Sequence, residues 1–173
     1  DTLPKSEKII FAPDKHLGRY LNKVTGRNML LWDGSCVVHE TFSEKEIVKL
    51  KIRNEDAEII SHPECPEVIL NKSNFIGSTS ALLNYITKSK TNKFIIATEP
   101  HIIHQMKKIE PNKIFISAPG SNGDCSCTNC PFMELNTLEK LKDCLLKVNP
   151  EIYLDEQLMI NAKKPLIKML KLS

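Results

Sequence analysis

A strand, a helix and a second strand follow one another in residues 94–117, FIIATEPHIIHQMKKIEPNKIFIS. The apolar run that starts at Phe94 is short enough for a strand buried on both faces, and Lys113 to Ser117 is a second such run. A helix is predicted between them, from His101 to Ile109. Strands that alternate with helices form parallel sheets, so this stretch predicts an α/β fold.

The same order of elements occurs earlier in the chain, in residues 9–32, IIFAPDKHLGRYLNKVTGRNMLLW. Each copy is followed by a turn that contains glycine, then by a cysteine, and then by a helix start seven residues past that cysteine. Ser43 follows Cys36 and Thr137 follows Cys130, and both are good N-cap residues. The repeat places Cys36 and Cys130 at equivalent points, so the two thiols can meet although 94 residues separate them.

Between the copies, further strands and helices alternate. Strands are expected at residues 57–61 and 75–77, Pro66 opens a short helix, and Ser78-Thr79-Ser80 caps a helix over residues 81–87. In parallel sheets, ligands bind beyond the carboxyl ends of the strands. The residues with the most reactive or polar side chains fall at those ends: Asp14, Cys36, His62, Glu64, Ser78, Thr79, Glu99 and Cys130.

Charge and hydrophobicity exclude several classes of protein. The net charge is +3, which is too small for a nucleic-acid-binding surface, and the 41% hydrophobic content is that of an ordinary globular domain. No apolar run reaches the ~18 residues that a membrane span needs. We therefore expect a soluble, cytoplasmic protein that binds neither nucleic acid nor membrane. Residue 1 is Asp rather than Met, which is compatible with a piece of a longer protein.

The six cysteines indicate metal or redox chemistry, because three of them lie within CSCTNC at residues 125–130. One alternative is a zinc-binding structural or interaction module built on Cys125, Cys127 and Cys130 with a fourth ligand. Another is thiol–disulfide exchange at Cys127 and Cys130. Cys144 lies in an apolar helical pattern and is expected to be a small buried hydrophobic residue.

Two further motifs can bind substrate or move protons. In His62-Pro63-Glu64 an imidazole and a carboxylate are held close by the intervening proline, which suits an acid/base pair, although a structural salt link would also explain them. In Gly77-Ser78-Thr79-Ser80 hydroxyls and backbone N–H groups at a helix N-terminus can hold a phosphate or carboxylate, or simply cap the helix.

Seven motifs in order resemble the bacterial quinolinate synthase family: FAPDKHLGRY (11–20), GSCVVHE (34–40), HPECPEV (62–68), FIGSTS (75–80), ATEP (97–100), CPFM (130–133) and NTLEKL (136–141). The resemblance implies three pseudo-equivalent, three-layer α/β/α domains with short parallel sheets. It also implies that each domain contributes one cysteine to a 4Fe-4S cluster on their common axis.

The resemblance also implies the roles of individual residues. Cys36 and Cys130 match two cluster ligands, and His62 and Glu64 match the acid/base pair in the motif that contacts iminosuccinate, with Pro63 between them. Thr79 matches a hydroxyl that binds a substrate carboxylate or phosphate, and Ser78 and His39 are expected beside it.

The family's reaction condenses iminosuccinate (iminoaspartate) with dihydroxyacetone phosphate to quinolinate for NAD biosynthesis, with the cluster as a Lewis acid. L-Aspartate oxidase is an expected source of iminosuccinate. The family's first domain, with the first cluster cysteine, has no counterpart here. We therefore expect the C-terminal portion of the enzyme, inactive alone, in three parts: residues 1–38 from the middle domain, 39–128 as the third domain, and 129–173 as the cluster-ligand loop with helices that pack on the missing domain.

Overall fold

The computed structural model describes residues 3–121 and 128–172. The chain divides into two compact units, Lys5–Pro131 and Asp1–Pro4 with Phe132–Ser173. The predicted boundaries after residues 38 and 128 stay predictions. No helix in the described part of the chain is long and apolar enough to cross a membrane.

The first repeat is a parallel strand pair joined by a helix. It consists of β1 (Ile10–Phe11), α1 (Lys15–Thr25) and β2 (Leu30–Leu31), and β1 pairs with β2 in parallel. Asp14 caps α1 by accepting a hydrogen bond from the Leu17 N–H at 2.7 Å. Gly26 ends the helix with φ 65°, in the left-handed region that glycine adopts without strain.

The second sheet has four parallel strands in the order β4-β3-β5-β6. The elements after β2 in the same unit are α2 (Val37–Glu40), α3 (Glu44–Arg53), β3 (Glu58–Ser61), α4 (Glu67–Leu70), β4 (Phe75–Ile76), α5 (Thr79–Lys88), β5 (Lys93–Ala97), α6 (Ile102–Ile109) and β6 (Ile114–Ser117). The α/β class predicted from the sequence is confirmed. The second repeat, β5-α6-β6, forms a parallel pair as β1-α1-β2 does.

Helices cover both faces of this sheet. Successive residues of a strand point to opposite faces, and the register pairs Ile59 with Ile95 and Ile60 with Ile96. One face carries Ile59 and Ile95 and packs against the α3 and α4 side chains Ile47, Ile69 and Leu70. The other carries Ile60 and Ile96 and packs against the α5 and α6 side chains Leu82, Ile86 and Met106. The predicted three-layer arrangement is therefore present around this sheet.

The helix starts that follow the two repeats have the predicted caps. Ser43 Oγ accepts from the Glu46 N–H at 3.4 Å, and Thr137 Oγ1 accepts from the Lys140 N–H at 3.2 Å. The Ser43 N–H donates to the Pro119 carbonyl at 3.2 Å rather than to Glu46, whose carboxylate binds Lys49 instead. Ser43 and Glu46 have the spacing of a capping box, but the Pro119 carbonyl takes the place of the Glu46 carboxylate as acceptor of the Ser43 N–H.

The C-terminal unit contains a 3-10 helix (Met133–Leu135), α7 (Leu138–Lys147) and α8 (Glu156–Leu172). Neither α7 nor α8 has a buried residue among those described. The expectation that Cys144 is buried is therefore wrong: its side chain is partly exposed, as are the other residues of α7 or more so.

Candidate functional site

The ends of three parallel strands bring the predicted polar residues to one edge of the four-stranded sheet. His62 follows β3 directly, Ser78 comes shortly after β4, and Thr98 follows β5. Backbone hydrogen bonds continue the pairing at this edge, from the His62 N–H to the Ala97 carbonyl and from the Gly77 N–H to the Ser61 carbonyl, both at 3.1 Å. The expected location at the carboxyl ends of the strands is confirmed for His62 and Ser78, and Thr98 shares it.

A short helix that the sequence did not reveal carries Cys36 and His39 to the same edge. Cys36 is the N-cap of α2 and His39 lies within it. The chain after α2 is tied to the segment that follows β6, because Phe42 forms a bridge with Gly120 and the Ser121 N–H donates to the Thr41 carbonyl at 3.1 Å. Long-range backbone contacts therefore determine where α2 lies.

The Glu64 carboxylate lies between two imidazoles. Its Oε2 is 3.2 Å from His39 Nδ1 and 3.6 Å from His62 Nδ1. The two imidazole rings stack with their centroids 4.9 Å apart and an interplanar angle of 17°. Pro63 is buried between His62 and Glu64, and the turn closes with a hydrogen bond from the Cys65 N–H to the His62 carbonyl at 3.0 Å. The motif is therefore a rigid turn that presents both side chains together.

The environment of this pair shifts both pKa values downward. The His39 imidazole beside Glu64 holds the pKa of that carboxyl below its usual range, against the opposing effect of burial. Burial lowers the pKa of His62, and the nearby His39 ring adds to the effect, while Glu64 and Asp14 oppose it. Near neutral pH, Glu64 is therefore a carboxylate and His62 a neutral imidazole, which can both accept protons.

Thr98 orients His39, and the sequence analysis did not identify it. The Thr98 hydroxyl lies 3.2 Å from His39 Nε2, and both residues are buried. The position of Thr98 directly after a buried strand could have indicated a site residue, but at this strand end the sequence predicted Glu99 instead. The Glu99 carboxylate accepts from the His101 backbone N–H at 2.9 Å and contacts its ring, so it stabilises the turn that enters α6.

The start of α1 holds α2 at both of its ends. Asp14 Oδ2 accepts from the Cys36 N–H at 3.0 Å, and Asp14 is buried. At the other end, Glu40 Oε1 contacts His16 Nε2 at 2.9 Å and Lys15 Nζ at 3.2 Å. The contact with His16 is the main reason that the pKa of Glu40 falls to about 2. Together these contacts fix the position of Cys36.

The predicted metal ligands Cys36 and Cys130 have different surroundings. Cys36 Sγ lies with ligand atoms of His39 and Glu64 in a group whose members are all within 4.8 Å of one another. Cys130 is free and partly exposed, and it is not a member of that group. The residue before it, Asn129, lines a cavity of about 330 Å³ together with His101 and His104 near the start of α6. The joint roles of the two thiols stay a prediction.

Cys65 differs from Cys36 and Cys130 in its burial. Cys65 is buried and its thiol donates to the Ala97 carbonyl at 3.3 Å. Burial raises its pKa far above the usual range, so in these surroundings it is an unreactive thiol. The suggested zinc or redox roles of Cys125 and Cys127 lie outside the described residues.

Ser78 and Thr79 are exposed at the N-terminus of α5, at the carboxyl end of β4. Ser78 Oγ accepts from the Ala81 N–H at 3.4 Å, so capping is one of its roles. β4 pairs with β3, which leads into His62 and Glu64, so the predicted anion-binding residues and the predicted acid/base pair extend from adjacent strands. Their roles towards substrate stay predictions.

Comparisons with known proteins identify similar sequences along nearly the whole chain. The model of the quinolinate synthetase A protein family matches residues 1–171. Three relatives named quinolinate synthase are 56% identical (Trichodesmium erythraeum), 55% identical (Nostoc punctiforme) and 53% identical (Microcystis aeruginosa), each over 171 residues and 99% of this chain. Those regions make up 53%, 52% and 53% of the relatives. The chain thus spans about half the length of the curated relatives it matches.

Proposed function

The chain belongs to the quinolinate synthetase A family, and from this premise we propose that it supplies acid/base, substrate-binding and metal-binding residues for quinolinate synthesis. The proposed reaction condenses iminosuccinate with dihydroxyacetone phosphate and releases phosphate and water, in the biosynthesis of NAD. The observation that carries the proposal is the placement of the Glu64 carboxylate between His39 and His62, beside Cys36.

Glu64 and His62 are the proposed proton carriers. Glu64 is ionised near neutral pH, so its Oε2 can take the protons that are released as the enamine forms and the ring closes. The neutral His62 ring 3.6 Å from that oxygen can accept a proton and return it when a hydroxyl leaves as water. Thr98 keeps the His39 ring against Glu64 during these steps.

The N-terminus of α5 is the proposed site for an anionic group of the substrate. Its free backbone N–H groups carry partial positive charge, and the exposed hydroxyl of Thr79 adds a donor. A carboxylate of iminosuccinate or the phosphate of the second substrate suits this position. Because β4 pairs with β3, a substrate bound there would extend towards Glu64.

The donor chemistry of this chain fits an iron–sulfur cluster in part. Thiolates hold such clusters, and Cys36 and Cys130 are free and partly exposed, whereas Cys65 is buried and its thiol donates to the Ala97 carbonyl. A 4Fe-4S cluster bound by three thiolates has one open iron that supplies Lewis-acid activation of a substrate oxygen. We propose Cys36 and Cys130 as two of the ligands, with the third on the domain that the resemblance assigns to the rest of the enzyme.

The deciding experiment measures quinolinate formation from iminosuccinate and dihydroxyacetone phosphate by a full-length protein that contains this sequence. L-Aspartate oxidase can supply the unstable imine in the same reaction. The proposal also places the enzyme in the cytoplasm. Turnover that requires both substrates and iron supports the proposal. Metal analysis that shows one zinc and no iron would favour the alternative, a zinc-binding structural or interaction module on Cys125, Cys127 and Cys130.

A further inference from the structure

A cavity of about 280 Å³ lies between α1 and the segment from Cys65 to Ile76, which contains α4 and β4. Both sides of the cavity belong to the compact unit Lys5–Pro131. Among the described residues, none with a proposed catalytic, substrate-binding or metal-binding role lines it. The cavity is therefore separate from the site at the carboxyl edge of the four-stranded sheet.

The walls of the cavity are mainly apolar. Tyr20 and Val24 come from α1, Leu70 comes from α4 and Ile76 comes from β4. Tyr20 and Ile76 pack against the core cluster that contains Leu70, so the core holds these walls in place. An apolar cavity of about 150 Å³ is large enough to admit benzene. The volume found here therefore accommodates one six-membered ring with small substituents.

Cations outnumber acids around the cavity. Arg19 and Lys23 line it from α1, and Glu67 is the acidic residue of the lining. Lys23 Nζ lies 3.4 Å from Glu67 Oε1, so this carboxylate offsets one of the two positive charges. Arg19 is exposed, and its guanidinium has no ion-pair or hydrogen-bond partner in the described part of the chain. The imidazole of His16, which also lines the cavity, is paired with Glu40. One positive charge is thus left for an anion to balance.

Two neutral polar side chains of the lining are also available to a ligand. The Tyr20 hydroxyl and the side-chain amide of Asn71 have no hydrogen-bond partner within residues 3–121 and 128–172. With Arg19, the lining offers hydrogen-bond donors from a guanidinium, a phenol and an amide. Apolar walls with a small number of polar groups are typical of sites for small molecules.

We propose that this cavity binds an aromatic carboxylate of a single ring. The ring lies among Tyr20, Val24, Leu70 and Ile76, and the carboxylate pairs with Arg19. Arginine suits this role because its planar guanidinium can donate two parallel hydrogen bonds to one carboxylate. An inorganic anion would leave the apolar walls uncovered, and a neutral ring would leave the guanidinium without a partner.

This inference goes beyond the proposed enzymatic function and does not depend on it, because binding is measured without turnover. Two sources of the ligand share the required chemistry. Quinolinate, the product of the proposed reaction, is a pyridine ring with two carboxylates, and Lys23 is a cation for the second one. An unrelated aromatic acid with one carboxylate is the other source.

The test uses a full-length protein that contains this sequence and para-fluorobenzoate as the probe. Fluorine NMR should show one bound probe per chain with a Kd below about 1 mM. Arg19→Gln should weaken the affinity about three- to tenfold, since the amide cannot form the charged pair. Val24→Trp should abolish binding, because the indole takes the space of the ring. Val24 is 57% exposed, so the larger side chain is compatible with the fold, which circular dichroism verifies.

Unlabelled quinolinate and unlabelled benzoate then compete with the probe. Stronger displacement by quinolinate assigns the cavity to the product of the proposed reaction, and stronger displacement by benzoate assigns it to another aromatic acid. Either result supports a site for aromatic carboxylates. Displacement by neither acid would overturn the proposal.

Three variants serve as controls. Arg53→Gln removes an exposed arginine of α3, and Val68→Trp enlarges a residue of α4 that is 51% exposed; neither residue lines the cavity. Thr79→Val alters the proposed substrate site. All three should bind the probe as the unaltered protein does. Loss of binding in Thr79→Val with normal binding in Val24→Trp would overturn the proposal and assign the probe to the substrate site. Failure of the unaltered protein to bind the probe at millimolar concentration would also overturn it.

Discussion

Asp14 accepts a hydrogen bond from the backbone N–H of Cys36, with Oδ2 and N 3.0 Å apart. The other oxygen of the same carboxylate accepts from the Leu17 N–H at 2.7 Å and caps α1. One buried side chain therefore connects the start of α1 to the start of α2, which carries Cys36 and His39. The position of a proposed metal ligand thus depends on a residue 22 positions earlier in the chain.

Replacement of Asp14 with Ala should destabilise the protein and loosen Cys36. The change removes a helix cap and leaves the partly buried Cys36 N–H without its acceptor, which together cost about 2–4 kcal/mol. Urea denaturation measures the stability, and the alkylation rate of Cys36 measures its exposure. Ser43→Ala is the matched control, because it removes the cap of α3 without contact with Cys36. Equal alkylation rates in the two variants would contradict the positioning role of Asp14.

Replacement of Glu64 with Gln should abolish most of the quinolinate synthesis by a full-length protein. The amide keeps the shape of the side chain but cannot take a proton, and loss of a general base typically lowers kcat by about 100- to 10,000-fold. The measurement is quinolinate formed per unit time at saturating substrates. Glu46→Gln serves as the control, since Glu46 binds Lys49 on the surface of α3. Full activity of Glu64→Gln would exclude Glu64 as the base.

The ion pair between His16 and Glu40 should make stability fall in acid. The pKa of Glu40 is lowered from 4.5 to about 2, so the unfolded chain binds more protons than the folded chain between these values. The free energy of unfolding contributed by Glu40 is therefore complete above pH 4.5 and is lost as the pH falls towards about 2. Urea denaturation across this range should show a shallower pH dependence for Glu40→Gln. Identical slopes for the two proteins would contradict the prediction.

Buried and exposed isoleucines in strands should differ sharply in their contribution to stability. Ile96 in β5 is fully buried against the helices α5 and α6, so Ile96→Ala should lower the free energy of unfolding by about 2–5 kcal/mol. Ile10 in β1 is 73% exposed, and Ile10→Ala should change the free energy of unfolding by less than about 1 kcal/mol. Chemical denaturation of both variants tests the layer assignment. Similar losses for the two would show that the β1 surface is covered in solution.

Cysteine substitutions should separate the proposed cluster ligands from the other thiols. In a full-length protein, Cys130→Ser should prevent assembly of the iron–sulfur cluster, because serine lacks the thiolate that holds iron. Cys144→Ser should leave it intact, since Cys144 lies on α7 outside the proposed ligand set. Iron and sulfide analysis after anaerobic reconstitution measures the outcome. The isolated 173-residue chain should assemble no stoichiometric cluster, because only two ligands are proposed on it; a full cluster there would contradict the proposed ligand set.

The order of the helices and strands other than α2, and several of their ends, could be predicted from the sequence because local chemistry sets them. Gly26 ends α1 in the left-handed region, and Ser43, Ser78 and Thr137 cap helices by hydrogen bonds that span three residues. The burial of Cys144 was predicted wrongly, since an apolar stripe shows that a helix can pack but not what covers it.

The amino-acid sequence by itself determined the alternating α/β pattern, the repeat, the family and the residue types that can carry chemistry, since all of these are local patterns in the chain. Only the tertiary structure placed the Glu64 carboxylate between His39 and His62, fixed Cys36 with Asp14, and revealed Thr98 behind His39. The physical reason is that these contacts depend on strand register and on the bridge between Phe42 and Gly120, which join residues far apart in the chain. No local propensity encodes the distance between such side chains.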